Sequence, residues 1–182
     1  MKKKYKRYLN MLQKARFYMM KDGHVRANFL RKKGILREIG ENVYFHSRIM
    51  PPDPKLLKIG NNVSIAANVR FLGHDRIDIV LTGMYGKKYT KFYDCIEVGD
   101  NVFIGSDVVI LPGVRIEDNT IIGAGAVVTK DLPSGYVWGG VPAAKIGTFQ
   151  DLIDKRKDTP KPLKDPDKLW DRFAQERRKE CL

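Results

Sequence analysis

Three histidines and two cysteines are the side chains of this 182-residue sequence best suited to act as a base or a nucleophile. Cys95 and Cys181 lie far apart and fall in no disulfide or metal-ligand spacing, so both read as reduced thiols. His74 differs from His24 and His46 by its place. In Phe71-Leu72-Gly73-His74-Asp75 it stands where a regular stretch gives way to an irregular one, residues 75–94. An imidazole takes up and returns a proton near neutral pH, which suits a general base. Position alone leaves a lone histidine most often structural or solvated, and His24 and His46 are read that way.

The regular stretch has a period of six. Aliphatic residues recur at Val98, Ile104, Ile110, Ile116, Ile122 and Val128, and earlier at Ile39 and Phe45, then at Ile59, Ile65 and Phe71. Six is neither the period of a helix nor that of an ordinary strand, and the Gly-Asx punctuation between the aliphatics is that of short strands joined by tight turns. The pattern predicts a parallel β-helix with three hexads per coil, residues 98–133 making two coils. The first residue of each hexad points inward, and the Gly or Asn that follows takes the turn conformation. Two intervals break the phase: Phe45 to Ile59 is 14 residues and Phe71 to Val98 is 27. The first contains Pro51-Pro52-Asp53-Pro54 and reads as a turn with little chemistry in it. The second, loop 75–94, is long enough to read as functional.

Around this stretch, 43% hydrophobic and 30% charged residues describe a folded, single-domain-sized chain. No run approaches the roughly 20 apolar residues of a membrane span, and Met1-Lys2-Lys3-Lys4 leads into no signal-peptide core, so a cytoplasmic protein is expected. The formal charge of +13 is unevenly spread. Residues 1–37 carry 13 Lys and Arg against one acid, for +12; residues 38–149 carry 11 against 12, for −1; residues 150–182 carry ten against eight, for +2. Within the basic segment Tyr5, Tyr8, Leu9, Leu12, Ala15 and Met19 recur at helical spacing. Packing of that stripe on the rest of the protein is the first expectation, and peripheral contact with the inner face of a membrane is the second. Nucleic acid is not expected, for want of any accompanying motif. The chain thus divides into a basic helical segment (1–37), a solenoid (38–149) and a helical tail (150–182), with a linker from Pro160 to Pro166. Trp170 and Phe173 of the tail are expected to be buried.

The hexads, the loop, and the run Ile122-Gly-Ala-Gly-Ala-Val-Val-Thr-Lys130-Asp-Leu-Pro followed by Val137-Trp-Gly-Gly-Val-Pro142-Ala-Ala-Lys145-Ile resemble the hexapeptide-repeat acyltransferases over about residues 39–149. The likeness is greatest to the sugar and xenobiotic O-acetyltransferases. It implies an all-β solenoid, a left-handed parallel β-helix, assembled as a homotrimer with acetyl-CoA in the cleft between neighbouring solenoids. It also implies a histidine base at the root of the loop, which is His74, and acyl transfer without a metal. Coenzyme contacts carry over to Phe103, where many relatives have Trp, to Ser106 in Ile-Gly-Ser, to Ala124 in Gly-Ala-Gly, to Thr129 and Lys130, and to Lys145 three residues after Pro142. A backbone N–H of a solenoid turn is the expected oxyanion donor. Asp75 is a candidate to orient the imidazole or hold the acceptor, although neighbours in a strand point to opposite faces and an acidic residue elsewhere could orient the ring as well; Tyr85, Tyr89 and Tyr93 would line a saccharide. Two alternatives stay open: an antibiotic acetyltransferase of the chloramphenicol or streptogramin type, and a trimeric scaffold without catalysis.

Overall fold

A computed structural model describes residues 2–157 and 165–180, with side chains for 11–157 and 165–175. Cys181 and most of the Pro160–Pro166 linker lie outside the described residues. Two compact units divide between Asp151 and Leu152, and each is described by itself.

The first unit begins with helices α1 (Lys2–Met19) and α2 (Gly23–Lys32) and continues as short strands wound in coils. The first coil has β1 (Glu38–Ile39) and β2 (Tyr44–Phe45). The second has β3 (Leu57–Ile59), β4 (Ser64–Ile65) and β5 (Arg70–Phe71), and is followed by α3 (Ile77–Tyr85) inside the long loop. The third has β6 (Ile96–Val98), β7 (Val102–Ile104) and β8 (Val109–Ile110), and the fourth has β9 (Arg115–Ile116), β10 (Thr120–Ile122) and β11 (Val127–Val128). Strands β12 (Tyr136–Gly139) and β13 (Ala144–Thr148) close the solenoid, and α4 (Phe149–Lys157) follows.

Each strand pairs in parallel with its counterpart one coil on, giving three sheets: β1-β3-β6-β9, then β2-β4-β7-β10-β12, then β5-β8-β11. Among the described strands the one antiparallel partner is β13, laid on β12, which ends the second sheet. The expected inward residues fill the interior. Phe45, Ile65, Ile104, Ile110, Ile116, Ile122 and Val128 are wholly buried, and Ile59, Phe71 and Val98 nearly so. Each such side chain contributes on the order of 2 kcal/mol by leaving water.

The corners differ from expectation in one respect. The residue just after the inward aliphatic does not take the left-handed conformation; the residue two further on does, as at Asn42, Asn62, Asn101 and Asn119 with φ of 53°, 54°, 57° and 52°. Their side chains make an amide ladder up one corner, Asn42 donating to Asn62 at 2.8 Å, Asn62 to Asn101 at 2.9 Å and Asn101 to Asn119 at 3.0 Å. The glycine after the aliphatic is needed for closeness instead. A Cβ on Gly60 would stand 2.7 Å from the Gly99 carbonyl oxygen of the next coil.

The N-terminal end of the solenoid is covered by α2, through buried Ala27, Phe29 and Leu30. Fully buried Arg26 ties the helix to the first coil, donating to the carbonyls of Phe45 at 2.7 Å, His46 at 2.9 Å and, more closely still, Met20. The α1 helix packs differently from the prediction. Phe17 is the side chain that enters the core, its ring edge-on to Phe45 at 5.8 Å, whereas Leu12, Ala15 and Met19 of the predicted stripe are exposed. The side chains of Tyr5, Tyr8 and Leu9 lie outside the described ones.

The second unit contains the end of α4 and helix α5 (Pro166–Glu180). Trp170 and Phe173 are 68% and 47% exposed, which corrects the expectation that they are buried. A single short amphipathic helix has no interior to bury them in, and the two rings meet edge to face at 5.7 Å.

Candidate functional site

Strand β5 ends on the third sheet, where the Leu72 N–H still donates to Ile110 at 3.0 Å, and the chain then leaves the solenoid. It returns beside its own exit. His74 and Tyr93 form an antiparallel bridge, and the Asp94 N–H donates to the Gly73 carbonyl at 3.0 Å, so the loop has a two-stranded stem with His74 in it. The Tyr93 ring lies 5.4 Å from the imidazole.

The second wall of the site comes from the other break in the hexad phase. Asp53, between Pro52 and Pro54, begins a 3-10 turn over Pro54–Leu56, with its carbonyl accepting from the Leu56 N–H at 3.0 Å. The flanking prolines restrict the backbone on either side and limit the ways the carboxylate can point. Its Oδ2 accepts a short hydrogen bond from His74 Nδ1. The segment read from sequence as chemically idle therefore supplies the partner of the imidazole. The side chains of His74 and Asp53 are 25% and 22% exposed, shielded but reachable. Because a carboxylate only accepts, this contact places a proton on Nδ1, and in the neutral ring Nε2 then carries the lone pair. A depression of about 350 Å³ lined by Pro52, Asp53, Pro54, Leu56 and Tyr93 adjoins the pair.

Asp75, one of the candidates to orient the ring, has another use. Its carboxylate accepts from the Ile77 N–H at 3.1 Å and starts α3. Gly73 matters through space: a Cβ there would stand 2.9 Å from Asp53 Cβ and 3.1 Å from its Oδ2. Gly73→Ala should push Asp53 off the imidazole and lower kcat about tenfold in a folded protein, measured beside wild type by steady-state kinetics and circular dichroism. Asp53→Asn keeps the shape but removes the negative charge and lets an amide N–H face the ring in place of an acceptor-only carboxylate. Its expected cost is roughly 10- to 100-fold in kcat with little change in KM, whereas a purely structural role for Asp53 would show instead as a lowered Tm.

The other residues singled out by sequence fall in separate places. Phe103 faces outward on β7, in register with Ser64 and Ile121, and is 40% exposed. Ser106 and Ala124 follow at the corner between the second and third sheets, one coil apart, where the Gly125 N–H donates to the Ser106 carbonyl at 2.8 Å. A depression of about 270 Å³ there is lined by Tyr44, Ser64, Ala66, Phe103 and Ser106 among others. Thr129 and Lys130 are exposed at the next corner, after β11. Lys145 lies on β13 with its ammonium 3.5 Å from the centre of the Tyr136 ring. In the loop, Tyr85 and Tyr89 pair with each other at 6.0 Å, while Tyr93 is the tyrosine beside His74.

The remaining histidines are absorbed by structure. His24 Nδ1 bonds the Val43 carbonyl at 3.1 Å, and His46 shares a hydrogen bond with the Tyr44 hydroxyl at 3.2 Å. A larger depression, about 600 Å³, runs along the first sheet; Glu97 there meets Lys58 at 3.9 Å and Arg115 at 3.0 Å, while Glu38, Asp100, Glu117 and Asp118 leave the lining acidic. It lacks the base.

Residues 95–130 match the family described as bacterial transferase hexapeptide (six repeats). The galactoside O-acetyltransferase of Escherichia coli K12 is 41% identical over 116 residues, which cover 62% of this chain and 54% of that protein. The chain thus spans about half the length of that relative. YvoF of Bacillus subtilis strain 168, provisionally named an acetyltransferase, is 30% identical over 132 residues, 71% of each chain. Among solved structures, a maltose O-acetyltransferase from Clostridium difficile 630 superposes with a TM-score of 0.57 at 27% identity, covering 76% of this chain and 83% of that one. The hexapeptide signature and this fold likeness imply that the β-helix winds left-handed.

Proposed function

The chain belongs to the hexapeptide-repeat acetyltransferase family, and from that premise we propose that it moves an acetyl group from acetyl-CoA to a hydroxyl of a saccharide-containing acceptor, with His74 as general base. The observation that carries the reading is the Asp53–His74 pair at the loop root, an imidazole with one nitrogen held and the other free for a proton. Acetyl-CoA, as second substrate, supplies the activated acyl carbon. His74 Nε2 removes the proton of the acceptor hydroxyl as its oxygen bonds the thioester carbon. Asp53 stabilises the imidazolium that results. When the C–S bond breaks, Nε2 returns the same proton to the sulfur, so the enzyme ends unchanged and the products are the O-acetyl ester and CoA.

The corner of Phe103, Ser106 and Ala124 suits the coenzyme: an exposed aromatic ring beside rigid turns with small side chains lets an extended ligand lie close to the backbone. Thr129 and Lys130 stand at the following corner, as does His74, each just after a strand of the third sheet. A coenzyme held at these two kinds of corner fits the cleft between neighbouring solenoids of a homotrimer that the family resemblance implies. Helix α3 supports that assembly, its Ile77, Ile79, Val80 and Met84 each being more than half exposed. The galactoside and maltose acetyltransferases among the similar proteins favour a sugar hydroxyl, and the Tyr93 ring beside the base offers a face for one.

Titration calorimetry with CoA, run beside light scattering, tests the binding half of this reading. Saturable binding by a trimer, weakened several-fold in Ser106→Trp, is the expected result. No binding of CoA by the intact protein would instead favour a scaffold.

A further inference from the structure

Helix α1 is anchored from one side only. Phe17 is wholly buried against Phe29 and Phe45, while Met11, Leu12, Tyr18 and Met19 are 58%, 48%, 57% and 74% exposed and Ala15 is exposed with them. The spacing explains why. At 100° per residue, positions 11, 12, 15, 18 and 19 fall within one arc of roughly 120°, opposite Phe17, and Lys14 and Arg16 fall on its two borders. The result is an apolar strip edged by exposed cations and pointing away from the solenoid. Arg48 adds its guanidinium over the Tyr18 ring at 5.6 Å, beside the same strip.

We propose that this outward face of α1 docks the protein on an anionic lipid bilayer, with Met11, Leu12, Ala15, Tyr18 and Met19 entering the interface and the surrounding lysines and arginines meeting lipid phosphates. Charge complementarity selects this occupant. Residues 1–37 carry 13 basic side chains against one acid, so a second copy presenting the same face would repel it. A duplex nucleic acid would match the charge but leave the apolar strip in water, whereas a bilayer interface uses both, as amphipathic basic helices do. The described helices include none long and apolar enough to cross a membrane, so the contact is one of lying on the surface. This inference stands apart from the acetyl-transfer reading and does not depend on it.

The test is co-sedimentation of the full chain with phosphatidylcholine vesicles and with vesicles in which about a third of the lipid is phosphatidylglycerol. Binding to the anionic vesicles at least tenfold tighter than to the neutral ones, falling as salt is raised, is the expected result. Leu12→Asp combined with Met19→Asp should lower that binding about tenfold with circular dichroism unchanged, since both positions are already solvated. Absence of binding to anionic vesicles would overturn the proposal. So would equal binding to both vesicles, undiminished binding by the double variant, or preferential binding of duplex DNA.

Discussion

His74→Ala should lower kcat for acetyl transfer about 10³-fold while the affinity for CoA stays within about twofold of wild type. The magnitude is that of a general base lost from a preorganised site. In the proposed reaction the imidazole acts twice, removing the acceptor proton and then protonating the departing sulfur. Alanine abolishes both roles and leaves Asp53 with no ring to hold. Nothing in the proposed coenzyme corner changes, because Phe103, Ser106 and Ala124 lie on other elements of the solenoid. Steady-state kinetics and calorimetry on the same preparation separate the two quantities. A variant that loses CoA affinity in proportion to kcat would move His74 from the reaction to the binding surface.

The second large effect is on stability. Arg26→Met should cost about 3 kcal/mol of folding free energy, read as a lower urea midpoint at unchanged m. Methionine fills much of the same volume but donates nothing. The carbonyls of Met20, Phe45 and His46, which now accept from the guanidinium, would lose that donor inside the N-terminal end of the solenoid. Burial lowers the pKa of this guanidinium from its ordinary value, with the like charge of Arg48 adding to the effect. The burial costs energy that is offset only while the carbonyls bind the charge, so the site is specific for a forked donor. Arg26→Lys, with one ammonium in place of the fork, should recover only part of the loss. An Arg26→Met protein as stable as wild type would mean that α2 is held by Ala27, Phe29 and Leu30 alone.

The solenoid was legible because stacking of coils imposes a sequence period that nothing else in a folded chain imitates. The first residue of each hexad from Phe45 to Val128 is buried as its phase predicts, whereas the second buried row, Val63, Val69, Val102, Val108, Val114 and Ala126, was not named from it. His74 stood out for the complementary reason, as an imidazole placed where the phase breaks, and its proposed role as base came from the family resemblance. Asp53 did not stand out, since its contact with His74 joins two separate excursions and leaves no local pattern. The available signal was the 14-residue interval itself, with a carboxylate fixed between prolines. Asp75 does not reach the imidazole because neighbours in extended backbone point apart, which is why an acid from elsewhere in the sequence, Asp53, holds the ring. On α1 the apolar residues occupy a wide arc, and periodicity alone could not say that Phe17, outside the predicted stripe, would be the side chain to enter the core. The amide ladder of Asn42, Asn62, Asn101 and Asn119 was visible as the fourth residue of each hexad, yet its left-handed geometry emerges only from the folded corner.

The most direct test of the account is to supply acetyl-CoA carrying a labelled acetyl group together with a panel of galactosides, maltosides, nucleotide sugars and hydroxylated antibiotics, and to follow both thiol release and the label. The account predicts label in an O-acetyl ester of a saccharide, one CoA thiol released per ester formed, and loss of both in His74→Ala. Turnover confined to the antibiotics, or saccharide acetylation that survives in His74→Ala, would contradict it.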